Sequence, residues 1–151
     1  MKTNTHMKPI PNLKSQLITY GVVAILLGSA SFFAVAANNN ETIIQTPGGI
    51  SYVSGGVGDE SIDRLNSMAG EFNLKLVFAM KSGEYLSGVR VVIIDAKGKT
   101  LLDTTSEGPW LLTRLPAGNY QIVANFAGKA EKRQVAVGAN KLRTIDFRWA
   151  E

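Results

Sequence analysis

The stretch Gly108-Pro109-Trp110-Leu111-Leu112-Thr113-Arg114-Leu115-Pro116-Ala117-Gly118-Asn119-Tyr120-Gln121-Ile122-Val123-Ala124 decides the fold. Trp110 to Leu115 is a short apolar run. Pro116-Ala117-Gly118-Asn119 then supplies turn chemistry, because proline presets φ while glycine and asparagine reach positive φ at little steric cost. Beyond it Tyr120, Ile122, Ala124 and Phe126 alternate with the polar Gln121 and Asn125, the period-two pattern of a half-buried strand. The unit is a strand, a tight turn and a second strand.

Working outward, the same pattern recurs. Phe72, Leu74, Leu76, Phe78 and Met80 alternate with Asn73, Lys75, Val77 and Ala79, which predicts a long first strand. Val89 to Ile94 is apolar on both parities apart from Arg90 and reads as a central strand covered on both faces. Asp95-Ala96-Lys97-Gly98-Lys99 is a hairpin turn, and Thr100 to Thr105 returns from it. Glu107-Gly108-Pro109 breaks the ladder before the central hairpin. Glu131 to Val137 and Leu142 to Trp149 complete the set, separated by the turn Gly138-Ala139-Asn140. Seven short strands with no helix between them predict an all-β, seven-stranded antiparallel sandwich over residues 71–151.

One helix precedes this block. Ile62, Leu65, Met68 and Ala69 recur at three- and four-residue spacing between Asp59 and Gly70, with Asp63, Arg64, Asn66 and Ser67 on the opposite side. Asp59 and Glu60 suit the positive end of its dipole. A helix over 59–70 is expected to cover an edge or an end of the sandwich, because three turns have little stability alone. Residues 38–58 contain Pro47-Gly48-Gly49 and Gly55-Gly56-Val57-Gly58, the composition of a flexible arm with one short strand near Ile50–Val53. The glycine spacing lacks the Lys-Ser/Thr that a phosphate loop requires, and the two acids that follow would repel an anion.

The first 37 residues read as a secretory signal peptide. Lys2, Lys8 and Lys14 precede an apolar run from Leu17 to Ala37, and the small residues Ala34, Ala36 and Ala37 mark the cleavage region. The alternative is an uncleaved inner-membrane anchor over 17–37, since about 20 apolar residues span a bilayer. Those three lysines are the leader's share of the 16 basic residues, leaving 13 against 12 acids. A balance near neutrality with no basic run gives no case for nucleic acid. The chain has no cysteine, which excludes disulfides, thiol nucleophiles and thiolate zinc sites. Its single histidine, His6, lies in the leader, so the mature chain has no histidine relay or histidine metal site. Asp59, Glu60 and Asp63 are the only dense acidic cluster and read as a dipole-compensating helix start. No cofactor, metal or enzymatic activity is expected.

Gly88-Val89-Arg90-Val91, the step Thr105-Ser106-Glu107-Gly108-Pro109-Trp110, and Leu115-Pro116-Ala117-Gly118-Asn119-Tyr120 together resemble the carboxypeptidase regulatory-like domains, over roughly Phe72 to Trp149. Thr104 to Glu107 replace the usual acid ahead of the glycine. Tyr52 to Gly58 and the terminal Phe147-Arg148-Trp149 also look like a group of small exported bacterial proteins of unassigned role. The resemblance implies a transthyretin-like (prealbumin-like) sandwich, grouped with carbohydrate-binding-like folds, and a non-catalytic accessory role. Fold alone does not choose the role.

Two roles fit. One is a periplasmic module that contacts another envelope protein through an exposed sheet edge or the 38–58 arm, since edge pairing needs no special side chains. The other is a glycan or small-ligand module built on exposed aromatic rings. Tyr52 in the arm and Tyr85 in a loop are the candidate rings. Trp110 and Trp149 read as core, and Tyr120 as a corner tyrosine.

Overall fold

The structure, a computed structural model, describes residues 42–151. The expected leader, its expected cleavage region at Ala34, Ala36 and Ala37, the alternative anchor span 17–37 and the first residues of the expected arm lie outside the described residues. The remainder is mostly β, with two sheets and one short helix.

Nine strands are described. They are β1 (Ile44–Gln45), β2 (Ser51–Gly55), β3 (Leu74–Met80), β4 (Arg90–Asp95), β5 (Thr100–Thr105), β6 (Trp110–Arg114), β7 (Gly118–Phe126), β8 (Lys129–Val137) and β9 (Arg143–Trp149). Strands β3 to β9 are the seven expected ones. Of the other two, β2 is the short strand expected near Ile50–Val53 within the flexible arm, and β1 is a strand that segment was not expected to hold. There Pro47-Gly48-Gly49 closes a hairpin, with Thr46 N–H on Ile50 O at 2.8 Å and Gly49 N–H on Thr46 O at 2.9 Å. Buried Ile50 and Val53 anchor β2 inside a sheet, so the glycines on either side of it are turns, not slack.

One sheet runs β1-β2-β6-β3-β9 and the other β5-β4-β7-β8. All pairings are antiparallel except β3 with β9, which is parallel and in register from Leu74 opposite Arg143 to Met80 opposite Trp149. The all-antiparallel expectation is corrected here. The connection from β8 crosses from the four-stranded sheet to the five-stranded one, and that crossing delivers β9 alongside β3.

The two sheets share one core. Leu74, Leu76 and Phe78 of β3 meet Val91 and Ile93 of β4, Ile122 and Ala124 of β7, and Phe147 and Trp149 of β9. Phe78, Phe126, Phe147 and Trp149 form a chain of ring contacts, with centroids 6.0 to 6.4 Å apart. Trp149 meets its polar requirement by donating Nε1–H to Lys129 O at 2.9 Å, which also joins the ends of β8 and β9.

A second, smaller core lies on the outer face of the five-stranded sheet. Helix α1 (Asp59–Met68) and the 3₁₀ turn Ala69–Glu71 seat Leu65 and Phe72 against Val53 and Leu112. The helix therefore covers a sheet face instead of an edge or end. This explains the run Trp110-Leu111-Leu112: Leu111 faces the main core and Leu112 the helix, so β6 is the strand covered on both sides. The same expectation for β4 is corrected, because Val92 and Ile94 are only half-buried on a face that no described element covers. Gly108 permits the close approach of the chain entering β6 to the end of β2, since a Cβ there would come within 2.2 Å of the Gly55 carbonyl oxygen.

Candidate functional site: an open strand position beside β5

The two sheets do not end together. At one side β8 and β9 are tied by Trp149 to Lys129 and by Arg143 Nη1 to Ala136 O at 2.8 Å. At the other side β2 lies over β5: the Tyr52 and Thr104 hydroxyls are 3.1 Å apart, and Glu107 N–H donates to Ser54 Oγ at 2.8 Å. The five-stranded sheet has one further strand, β1, beyond that point. It therefore overhangs the four-stranded sheet by one strand, and no described residue occupies the position beside β5 beneath β1.

This open position is a groove of about 360 Å³ lined by Ile44, Gln45, Thr46, Pro47, Tyr52 and the Thr100–Asp103 part of β5. It continues into a pocket of about 150 Å³ bordered by Thr42, Ile44, Tyr52, Ser54, Thr104, Thr105 and Glu107. Ile44 is opposite Tyr52 in the β1–β2 ladder, and cross-strand partners share a face. Both side chains thus point into the gap between the sheets, and Ile44 is 45% exposed.

Among the described residues strand β5 pairs with β4 alone, so its alternate N–H and C=O groups point into the groove. Edge strands are ordinarily guarded by charge, brevity or bulges. Strand β8 carries Lys129, Lys132 and Arg133; β9 carries Arg143 and Arg148; β1 has two residues. Strand β5 has neither Lys nor Arg nor Pro, and a register shift opposite Ile93/Ile94 disturbs only its beginning. Its one charge, Asp103, is already engaged. Arg90 Nε and Nη2 donate to the two Asp103 oxygens at 3.0 and 2.8 Å, and this hydrogen bonding holds the Asp103 carboxyl below the usual aspartate range. Leu102 to Thr105 is the unguarded edge.

Of the expected rings, Tyr52 is half-buried against the main core and floors the groove. Tyr85 is 62% exposed and bridges Ala79 after the turn that Met80 N–H closes on Glu84 O at 2.7 Å. Tyr52 is level with Thr113 and hence with Leu74, whereas Tyr85 is level with Ala79 five residues further along β3. At about 3.3 Å per residue the two are roughly 17 Å apart along the strand. They do not form one aromatic platform.

The other aromatics have structural partners. Tyr120 donates its hydroxyl to Pro116 O, the corner arrangement expected of it, and burial followed by the nearby Asp95 charge raises its pKa. Trp110 faces the helix side, where the Lys75 ammonium lies 3.1 Å from its ring centroid. Asp59 and Glu60 occupy the first turn of α1, and Glu60 accepts from Arg64 at 2.7 Å. Among the described residues no group of three or more acids or histidines is placed to hold a metal ion, and no helix is long and apolar enough to cross a membrane.

Sequence reasoning missed the groove because its roof is β1, two residues whose pattern carries no period. The available signal was Pro47-Gly48-Gly49 between Ile43-Ile44 and Ile50–Val53, which is a hairpin arrangement. Compared with family models and with curated proteins, the chain matches none of either.

Proposed function

We propose that this chain is a non-catalytic exported module of the transthyretin-like sandwich type, which holds one extended strand of another envelope protein beside β5. The observation that carries this is the one-strand overhang of β1, which leaves the unguarded edge Leu102–Thr105 open beneath Ile44. Main-chain pairing supplies affinity there, and side chains of the incoming strand pack under Ile44 and against Tyr52. The likeness to carboxypeptidase regulatory-like domains in Leu115-Pro116-Ala117-Gly118-Asn119-Tyr120, and the seven strands β3–β9, support the fold-family reading. The basic, apolar and small-residue order of the first 37 residues supports export to the periplasm, with retention at the inner membrane through 17–37 as the alternative.

The occupant is a single strand and not a second copy paired β5 to β5. Because β2 lies over β5 in every copy, an edge-on second copy would bring its β2 to the place β1 holds. The glycan reading needs two rings on one surface, and Tyr52 and Tyr85 are roughly 17 Å apart along the strand direction.

A photo-crosslinking amino acid in place of Ile44, in cells that produce the full chain, tests this. The expected product joins Ile44 to one extended segment of an exported protein, and a proline at Asp103 abolishes it: Ser106 N–H bonds Val89 O, so by strand alternation the Asp103 N–H points away from β4 and into the groove. No crosslink, a crosslink to a second copy, or one indifferent to proline in β5 contradicts the proposal.

A further inference from the structure

We infer that the docked strand carries an apolar side chain and a basic side chain two residues apart, the basic one meeting Glu107; this rests on the strand-docking reading above. A strand laid beside β5 continues its pleat, so its inward side chains align with those of β5 and recur every second residue, about 6.6 Å apart. The inward residues of β5 in its undisturbed part are Leu102, in the main core, and Thr104, whose hydroxyl meets Tyr52.

The surroundings of these two levels differ. Beside Leu102 the groove is walled by Ile44, Pro47 and the Tyr52 ring, a setting for an aliphatic side chain. Beside Thr104 the pocket keeps Ile44 and Tyr52 and adds Ser54, Thr104, Thr105 and Glu107, three hydroxyl-bearing residues and one acidic residue. Asp103, the other acid of this side among the described residues, is held by Arg90. Glu107 makes no ion pair among the described residues. Its main-chain N–H is fixed on Ser54 Oγ, which holds the backbone of this residue beside the pocket. An ammonium or guanidinium group entering at the Thr104 level would come within reach of this carboxylate and the hydroxyls together. Charge complementarity therefore selects a basic residue there. A parallel strand would read apolar-x-basic and an antiparallel one basic-x-apolar.

The test is selection from a displayed library of random seven-residue peptides on the full chain, subtracted against the variant with proline in β5. The expected winners carry Lys or Arg two positions from an aliphatic residue. A synthetic winner with its basic residue changed to glutamine binds about tenfold more weakly, the usual size of a charge-assisted hydrogen bond. Glu107→Gln in the protein, an exposed change, removes that difference. Winners without a basic residue, or equal binding of the lysine and glutamine peptides, overturn this inference while leaving strand docking intact. No β5-dependent winners overturn both.

Discussion

Asn73 and Leu115 hydrogen-bond each other in both directions: Asn73 Nδ2 donates to Leu115 O at 2.7 Å, and Leu115 N–H donates to Asn73 Oδ1 at 2.9 Å. The side-chain amide thus imitates a strand neighbour for the peptide that leaves β6. The same Nδ2 also donates to Gly138 O at 2.9 Å, and Asn73 O accepts from Arg143 N–H at 3.0 Å. One residue, 1% exposed, holds the ends of β6, β8 and β9 together.

Asn73→Ala would leave the Leu115 peptide and the Gly138 carbonyl without these partners. Orphaned buried polar groups cost about 1–3 kcal/mol each, so a loss of roughly 3 kcal/mol is expected in the denaturant midpoint. Asn73→Asp is expected to be worse at neutral pH, because a carboxylate cannot donate to either carbonyl, and to recover partly in acid. A loss under 1 kcal/mol for Asn73→Ala would show that the amide is not the clasp.

The β7–β8 hairpin is closed by Ala127-Gly128, with Phe126 opposite Lys129 and φ of 49° and 80° at the two turn residues. A two-residue turn with both φ positive favours asparagine at the first place, where alanine is strained by its Cβ. Ala127→Asn is expected to stabilise the protein by about 0.5–1 kcal/mol, read as a Tm a few degrees higher. An unchanged or lower Tm would contradict the strain.

Burial lowers the Lys75 pKa below its ordinary 10.5, and Asp146 acts in the opposite direction. With the folded pKa below the unfolded one, the unfolded chain binds more protons in the window just under 10.5. Stability therefore rises with pH through that window. The indole face of Trp110 favours the charged ammonium. Trp110→Leu is expected to lower the Lys75 pKa further, measured from the titration of its Cε resonance. A higher pKa in that variant would mean that the ring acts mainly by excluding water.

Much of the fold could be read from the sequence because β3 to β9 carry their own period. Tyr120, Ile122 and Ala124 face the core as their alternation required, and Tyr120 closes the corner that its turn implied. The rest depended on what packs outside the strand itself. Leu111-Leu112 differs from Val91-Val92-Ile93-Ile94 only in having a helix over its outer side, and no local pattern reports that. Asn73 was expected among the outward polar residues of the first strand; it sits one residue before β3, where the period does not yet apply. The open groove is the meeting of β1 with β5, 56 residues apart from Ile44 to Thr100, and neither stretch announces the other.

Tyr52→Phe separates the hydroxyl from the ring at the groove floor. It removes the contact with Thr104 Oγ1 but keeps the packing, so a stability loss of about 1 kcal/mol is expected with strand binding retained. Binding lost with stability unchanged would assign the hydroxyl to the ligand.

The most direct measurement is amide hydrogen exchange along β5 and β8, with and without the crosslinked segment or the best selected peptide. The account expects the outward amides of Leu102–Thr105 to exchange quickly in the free protein and to become protected on binding, with Ile44–Gln45 slowed as well and β8 unchanged. Protection confined to β8, or none along β5, would contradict it.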